Sequence, residues 1–103
     1  MAQFIRMASV QDIPMGGVKA FEHRYHRIAI CHTEEGFHAL ADECSHDSAQ
    51  ISDGHIRGNE IVCARHGARF DIRTGAVTAP PAVVPIDKYE LKVEGNNIYV
   101  LLD

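Results

Sequence analysis

Apolar and polar positions alternate in short runs along this chain. Turn-forming residues break the runs at roughly 8–12-residue intervals, a texture that predicts β-strands. The clearest alternation lies near the C-terminal end, where Tyr89, Leu91 and Val93 interleave with Lys88, Glu90, Lys92 and Glu94. Period two places one set on a buried face and the other in water, so a half-buried strand is expected there. Glu94-Gly95-Asn96-Asn97 supplies turn chemistry, and Ile98-Tyr99-Val100-Leu101-Leu102 returns as the second arm of a hairpin. Towards the N-terminal end, Phe4 to Met7, Val18 to Glu22 and Arg27 to Cys31 read as strands. Ile13-Pro14-Met15-Gly16-Gly17 and the polar run Glu22 to His26 connect them, and Thr33-Glu34-Glu35-Gly36 turns the chain into Phe37 to Ala41. No stretch of about 11 residues or more holds a 3.6-residue period. The expected class is all-β, built from antiparallel strands.

Between Asp42 and Pro81 the texture changes. Gly54, Gly58, Gly67 and Gly75 fall in this stretch and Pro80-Pro81 closes it, which suggests a loop-rich subdomain held by something besides a large apolar core. The whole chain, 103 residues, is one domain's worth of polypeptide, so a single domain over residues 1–103 is expected, with the subdomain at about 42–80. A net charge of −4, with no basic patch, argues against a nucleic-acid partner. No apolar run approaches a membrane span, and Met1-Ala2-Gln3-Phe4-Ile5-Arg6 does not read as a signal peptide, so a cytoplasmic protein with no membrane contact is expected. The three cysteines, Cys31, Cys44 and Cys63, are an odd number and read as thiols or ligands rather than a disulfide framework. Cys31, inside the apolar run Ile28-Ala29-Ile30-Cys31, reads as a buried small hydrophobe.

The chemistry gathers in two short pairs, Cys44-Ser45-His46 and Cys63-Ala64-Arg65-His66, with sixteen residues between His46 and Cys63. Each pair sets a thiol and an imidazole close enough to serve one metal site. Two sulfur and two nitrogen ligands suit tetrahedral zinc, or a [2Fe–2S] cluster with thiolates on one iron and imidazoles on the other. Structural zinc modules usually open with a Cys-x₂₋₄-Cys pair and close with a His pair, whereas here each loop carries one of each.

Cys44-Ser45-His46 with Cys63-Ala64-Arg65-His66 resembles the Cys-x-His…Cys-x₂-His signature of Rieske [2Fe–2S] proteins. The similarity extends through Ser52-Asp53-Gly54, Gly58, Glu60-Ile61, His66-Gly67, Arg69-Phe70-Asp71, Thr74-Gly75 and Ala79-Pro80-Pro81. It is to the soluble Rieske ferredoxins of bacterial aromatic ring-hydroxylating dioxygenase systems, and it covers most of the chain. The resemblance implies a Rieske fold of two antiparallel β layers, sandwich-like, with a cluster-binding subdomain. It also implies one [2Fe–2S] cluster per chain, with Cys44 and Cys63 on one iron and His46 and His66 on the other. Two ferric ions, two sulfides and two thiolates sum to zero charge, so an electron is added more easily than to an all-thiolate cluster. Rieske centres span about −150 to +300 mV, against about −400 mV for plant-type ferredoxins.

High-potential Rieske proteins carry an extra cysteine in each loop, joined as a disulfide, where this chain has Ala49 and Arg65. They also hydrogen-bond the cluster and a cysteine sulfur through a Ser and a Tyr hydroxyl, where this chain has Ala68 and Phe70. Fewer donors leave the reduced state less stabilised, which predicts the low end of the range. By resemblance the chain is an electron carrier and not an enzyme. It would pass one electron at a time from an NAD(P)H-dependent flavoprotein reductase to a terminal oxygenase, as a monomer. No spare His-His-carboxylate set for a mononuclear iron stands out; His32, His38 and His55 with nearby acids are candidates by composition only. Glu43, Asp47 and Asp53 are candidates for steering a basic partner surface, with Arg65 and Arg69 beside the ligands. Alternatives are a Rieske-like small subunit of a nitrite reductase or other redox complex, a cluster-based sensor, and a structural zinc-binding interaction module.

Overall fold

The computed structural model describes residues 2–44 and 49–103. Among these residues the N-terminal part contributes β1 (Gln3–Ser9), β2 (Val18–His23), β3 (His26–Thr33) and β4 (Gly36–Ala41). Four three-residue strands follow, β5 (His55–Arg57), β6 (Glu60–Val62), β7 (Arg69–Asp71) and β8 (Val77–Ala79). The chain ends in β9 (Lys88–Tyr89), β10 (Leu91–Glu94) and β11 (Asn97–Leu102). They form three antiparallel sheets, in the orders β1-β11-β10, β2-β3-β4-β9 and β5-β6-β7-β8. The all-β antiparallel class expected from the pattern is therefore the observed one.

The first two sheets make a base. Ala8, Ile13, Ile28, Ile30, Ala39, Ile98, Val100 and Leu102 pack between them as one buried cluster. Strand β3 explains why Ile28-Ala29-Ile30-Cys31 shows no alternation. Ile28 and Ile30 face this base core, while Ala29 and Cys31 face a second core, so the strand is buried on both sides. The second core joins Ala29, Cys31 and Leu40 of the base to Ile51, Ile61, Phe70 and Ile72 around the third sheet, with Cys44 and Cys63 among them. The Gly-rich stretch thus has apolar packing of its own beneath its loops. Cys31 is fully buried, as its apolar neighbours predict, and burial first, then the nearby Asp42 charge, pushes its thiol up to about 12.

Two details depart from the sequence reading. The alternating run 88–94 is not one strand. Lys88 and Tyr89 pair with β4 in one sheet, Leu91 to Glu94 pair with β11 in another, and Val93 is exposed. The run Glu22 to His26, expected as a connection, is mostly strand: only Arg24, at φ +57, and Tyr25 form the turn. His26 in β3 is half-buried, its ring tilted against Tyr25 at 4.6 Å and edge-on to Tyr89 at 6.0 Å.

The segment from Pro80 to Asp87 ties the cores together. Ile86 N–H donates to the Gly75 carbonyl at 3.0 Å, and Ala41 N–H to the Asp87 carbonyl at 2.9 Å. Gly75 sits at φ +83, and any Cβ there would collide with the Ile86 carbonyl oxygen, so this position requires glycine for conformation and for space.

Candidate metal centre

Two loops built on one plan approach the second core. The first leaves β4 after Ala41, and Cys44 N–H donates to the Ala49 carbonyl at 2.6 Å. The second leaves β6 after Val62, and Cys63 N–H donates to the Ala68 carbonyl at 2.7 Å. In both, a cysteine opens the loop and an alanine five residues later closes it. Neither cysteine is in a disulfide, and both are buried, Cys44 at 0% and Cys63 at 1% exposure.

The second loop turns sharply. Gly67, at φ +74, donates its N–H to the Cys63 carbonyl at 3.1 Å. That turn leaves His66 exposed while Cys63 points inward, so the loop presents sulfur to the core and imidazole to the surface. Ser45, His46 and Asp47 of the first loop lie outside the described residues. Among the described residues no three His, Cys, Asp or Glu side chains stand close enough to share a single metal ion. His32 is occupied elsewhere: its Nδ1 lies 2.8 Å from the Ile13 carbonyl oxygen and its ring stacks on Phe37 at 4.0 Å.

The donor set fits an iron–sulfur cluster. Buried, undisulfided cysteines are soft anionic ligands once deprotonated, and an exposed imidazole is a borderline one, as a mixed thiolate–imidazole cluster needs. Ala68 and Phe70 are both fully buried, and neither side chain has an N–H or O–H to donate to a sulfur. Of the neighbouring charges, Glu43, Asp53 and Arg65 are exposed, and Arg69 lies 3.9 Å from Glu60.

Sequence reading passed over Asp42. Its side chain is 1% exposed, and it is the root of the first loop. The signal was its place in the β4 alternation, where Leu40 and then Asp42 fall on the inward side two residues before Cys44.

The model of the Rieske [2Fe-2S] domain family matches residues 3–90. The chain belongs to that family. Its cofactor is accordingly a Rieske [2Fe–2S] cluster, which removes the zinc-module alternative. The Rieske chain is 37% identical over 95 residues to the 3-phenylpropionate/cinnamic acid dioxygenase ferredoxin subunit of Photorhabdus laumondii, covering 91% of this chain and 90% of that one. The ferredoxin of carbazole 1,9a-dioxygenase from Nocardioides aromaticivorans superposes with a TM-score of 0.90 at 32% identity, over 95% of this chain and 96% of that one. A further solved structure, a complex of reduced oxygenase and oxidized ferredoxin in carbazole 1,9a-dioxygenase, matches with a TM-score of 0.87 at 27% identity, over 94% and 91% of the two chains. Relatives of this kind are electron carriers rather than catalysts.

Proposed function

We propose that this Rieske protein is the ferredoxin component of an aromatic ring-hydroxylating dioxygenase system. It takes single electrons from an NAD(P)H-dependent flavoprotein reductase and delivers them to a terminal oxygenase. Cys44 and Cys63 hold one iron of its cluster, His46 and His66 the other. The observation that carries this reading is the second loop, which buries Cys63 and exposes His66 within one hydrogen-bonded turn.

When bound, the cluster supplies one-electron redox chemistry. The protein's own residues do the rest. The second core shields the thiolates from water and from adventitious oxidants. His66 brings a conjugated ring to the surface, where a partner can approach closely. Val83, 85% exposed, and Val84 follow the buried Ala82 and add an apolar contact area. Beside them an open groove of about 680 Å³ runs between Tyr25, Glu43, Val84 and Asp87. An apolar, partly acidic face suits brief docking, in which charge sets the encounter rate more than the affinity. Buried Ala68 and Phe70 keep the potential low in the Rieske range, which suits a donor to an oxygenase better than quinol oxidation. The protein works as a monomer in the cytoplasm. Among the described residues no helix is long and apolar enough to cross a membrane, and no membrane or nucleic-acid contact enters the reading.

The test is an iron and sulfide assay, with electron paramagnetic resonance before and after anaerobic dithionite reduction. Two irons and two sulfides per chain are expected, silent when oxidised and giving a Rieske-type signal when reduced. Reduction by a flavoprotein reductase and reoxidation by a terminal oxygenase complete it. A protein without acid-labile sulfide overturns the reading.

A further inference from the structure

Asp42 stands two residues before Cys44, and with Thr33 it makes up the buried polar residues among those described. Its Oδ1 accepts the Ser52 backbone N–H at 2.8 Å. Its Oδ2 accepts the Ser52 hydroxyl at 2.8 Å and the Gln50 carboxamide at 3.3 Å. Its backbone N–H donates to the Arg27 carbonyl at 2.9 Å, and its own carbonyl accepts from Arg27 Nη2 at 3.4 Å. Ser52 belongs to the short 3₁₀ turn Ile51–Asp53, and Ile51 is fully buried in the core that holds Cys44 and Cys63. The carboxylate therefore fastens the strand that enters the first ligand loop to the turn that leaves it.

A neutral asparagine could accept the same Ser52 amide without burying a charge. What the carboxylate adds is a formal negative charge, taken out of water and met by three donors. That charge sits two residues from Cys44, and the turn it holds carries Ile51, which packs in the same core as Cys44 and Cys63. Reduction adds one electron from the flavoprotein donor and turns a neutral cluster into a singly negative one. Coulomb repulsion from a neighbouring carboxylate in a poorly screened interior opposes that step.

We propose that Asp42 is a positioning residue for the first ligand loop whose buried negative charge also lowers the reduction potential of the cluster. The proposal rests on the cluster reading above.

Two variants of the iron- and sulfide-loaded protein test it, read by direct electrochemistry, metal and sulfide content and electron paramagnetic resonance. Asp42→Asn keeps the shape and the acceptor for Ser52 N–H but removes the charge. It is expected to shift the potential upward at wild-type iron and sulfide content, with the g values retained. Ser52→Ala removes a donor from Oδ2 and leaves the charge less compensated, so it is expected to shift the potential downward and to speed loss of iron to a chelator several-fold. Opposite signs in the two variants support the proposal, because a clamp acting through shape alone would move both in the same direction. An unchanged potential in fully loaded Asp42→Asn, or shifts of the same sign, overturns it. Should Asp42→Asn fail to load, Ser52→Ala decides alone: a downward shift supports the charge and any other result overturns it. A wild-type protein without iron and sulfide sinks the functional reading instead, so the two failures are distinguishable.

Discussion

The base and the cluster-bearing region solve the same folding problem with different means. In the base, β1 to β4 and β11 run six to eight residues and pair over long registers, and their core is aliphatic: Ile13, Ile28, Ile30, Ile98, Val100 and Leu102. In the region around the third sheet the strands β5 to β8 have three residues each, and the core beneath them includes three cysteines and three alanines beside four isoleucines, Leu40 and Phe70. Short strands bury little apolar area, and hydrophobic stabilisation scales with that area. The base stands on packing. The other region sets Cys44 and Cys63, the proposed ligands, inside its own core, so on the proposed reading the cofactor is a structural member there.

Removing the cluster is the strongest way to break this comparison. Under reducing chelation, hydrogen exchange at β5 to β8 is expected to rise at least about a hundredfold, roughly 2.7 kcal/mol of local stability, while β3 and β11 keep their protection. Uniform loss of protection across both regions would show that the base also leans on the cofactor. Next in size, Ile30→Ala in the base is expected to cost about 2–5 kcal/mol in urea unfolding, with the reduction potential unmoved. Gly75→Ala tests the strap between the regions. The collision with the Ile86 carbonyl and the φ of +83 together are expected to cost more than about 2 kcal/mol, seen as a lower unfolding midpoint and faster cluster loss. Phe70→Tyr sharpens the comparison from the cluster side. A hydroxyl reaching sulfur is expected to raise the potential with stability changed by less than about 1 kcal/mol, while one that finds no acceptor destabilises without moving the potential.

The smallest effect concerns His38, whose Nε2 is buried without a partner among the described residues. Burial, chiefly, holds its pKa below the usual 6.5, with Lys88 and Arg73 acting in the same sense and Glu35 and Asp71 opposing. A histidine depressed in the folded state binds protons more readily when unfolded, so stability falls as pH drops below 6.5 and levels off beneath the folded value. His38→Leu is expected to flatten that acid limb in unfolding curves at pH 5 to 7 (about the span in which histidine titrates).

Much of the base could be read from the chain, because its signals are local. The 94–97 turn between alternating arms and the apolar 28–31 run carry their own meaning, and they reappear as the β10–β11 hairpin and the doubly buried β3. The break at Glu90 could not be read. Alternation says which face a residue takes, whereas the change of partner from β4 to β11 depends on pairing with one strand 48 to 50 residues back and another three to nine residues ahead. Strands of three residues carry too little periodicity to be seen at all. At the site, Cys63 and His66 announced themselves by spacing, and the structure gives them opposite burial. His46 lies outside the described residues, and its place as a ligand rests on the motif. Asp42 stayed hidden because an acid beside Glu43 looks like solvated surface, and only the face it takes after Leu40 separates the two.

Strand β1 lies against β11 with Gln3 opposite Leu102, in the sheet that contributes nothing to the cysteine-lined core. Polypeptide therefore enters and leaves this unit side by side, on a sheet whose residues stay out of the core that holds Cys44 and Cys63. Such a unit is portable. It can be spliced into another protein, tethered to an electrode or strung in tandem, with both connections on one sheet and the cysteine-lined core undisturbed.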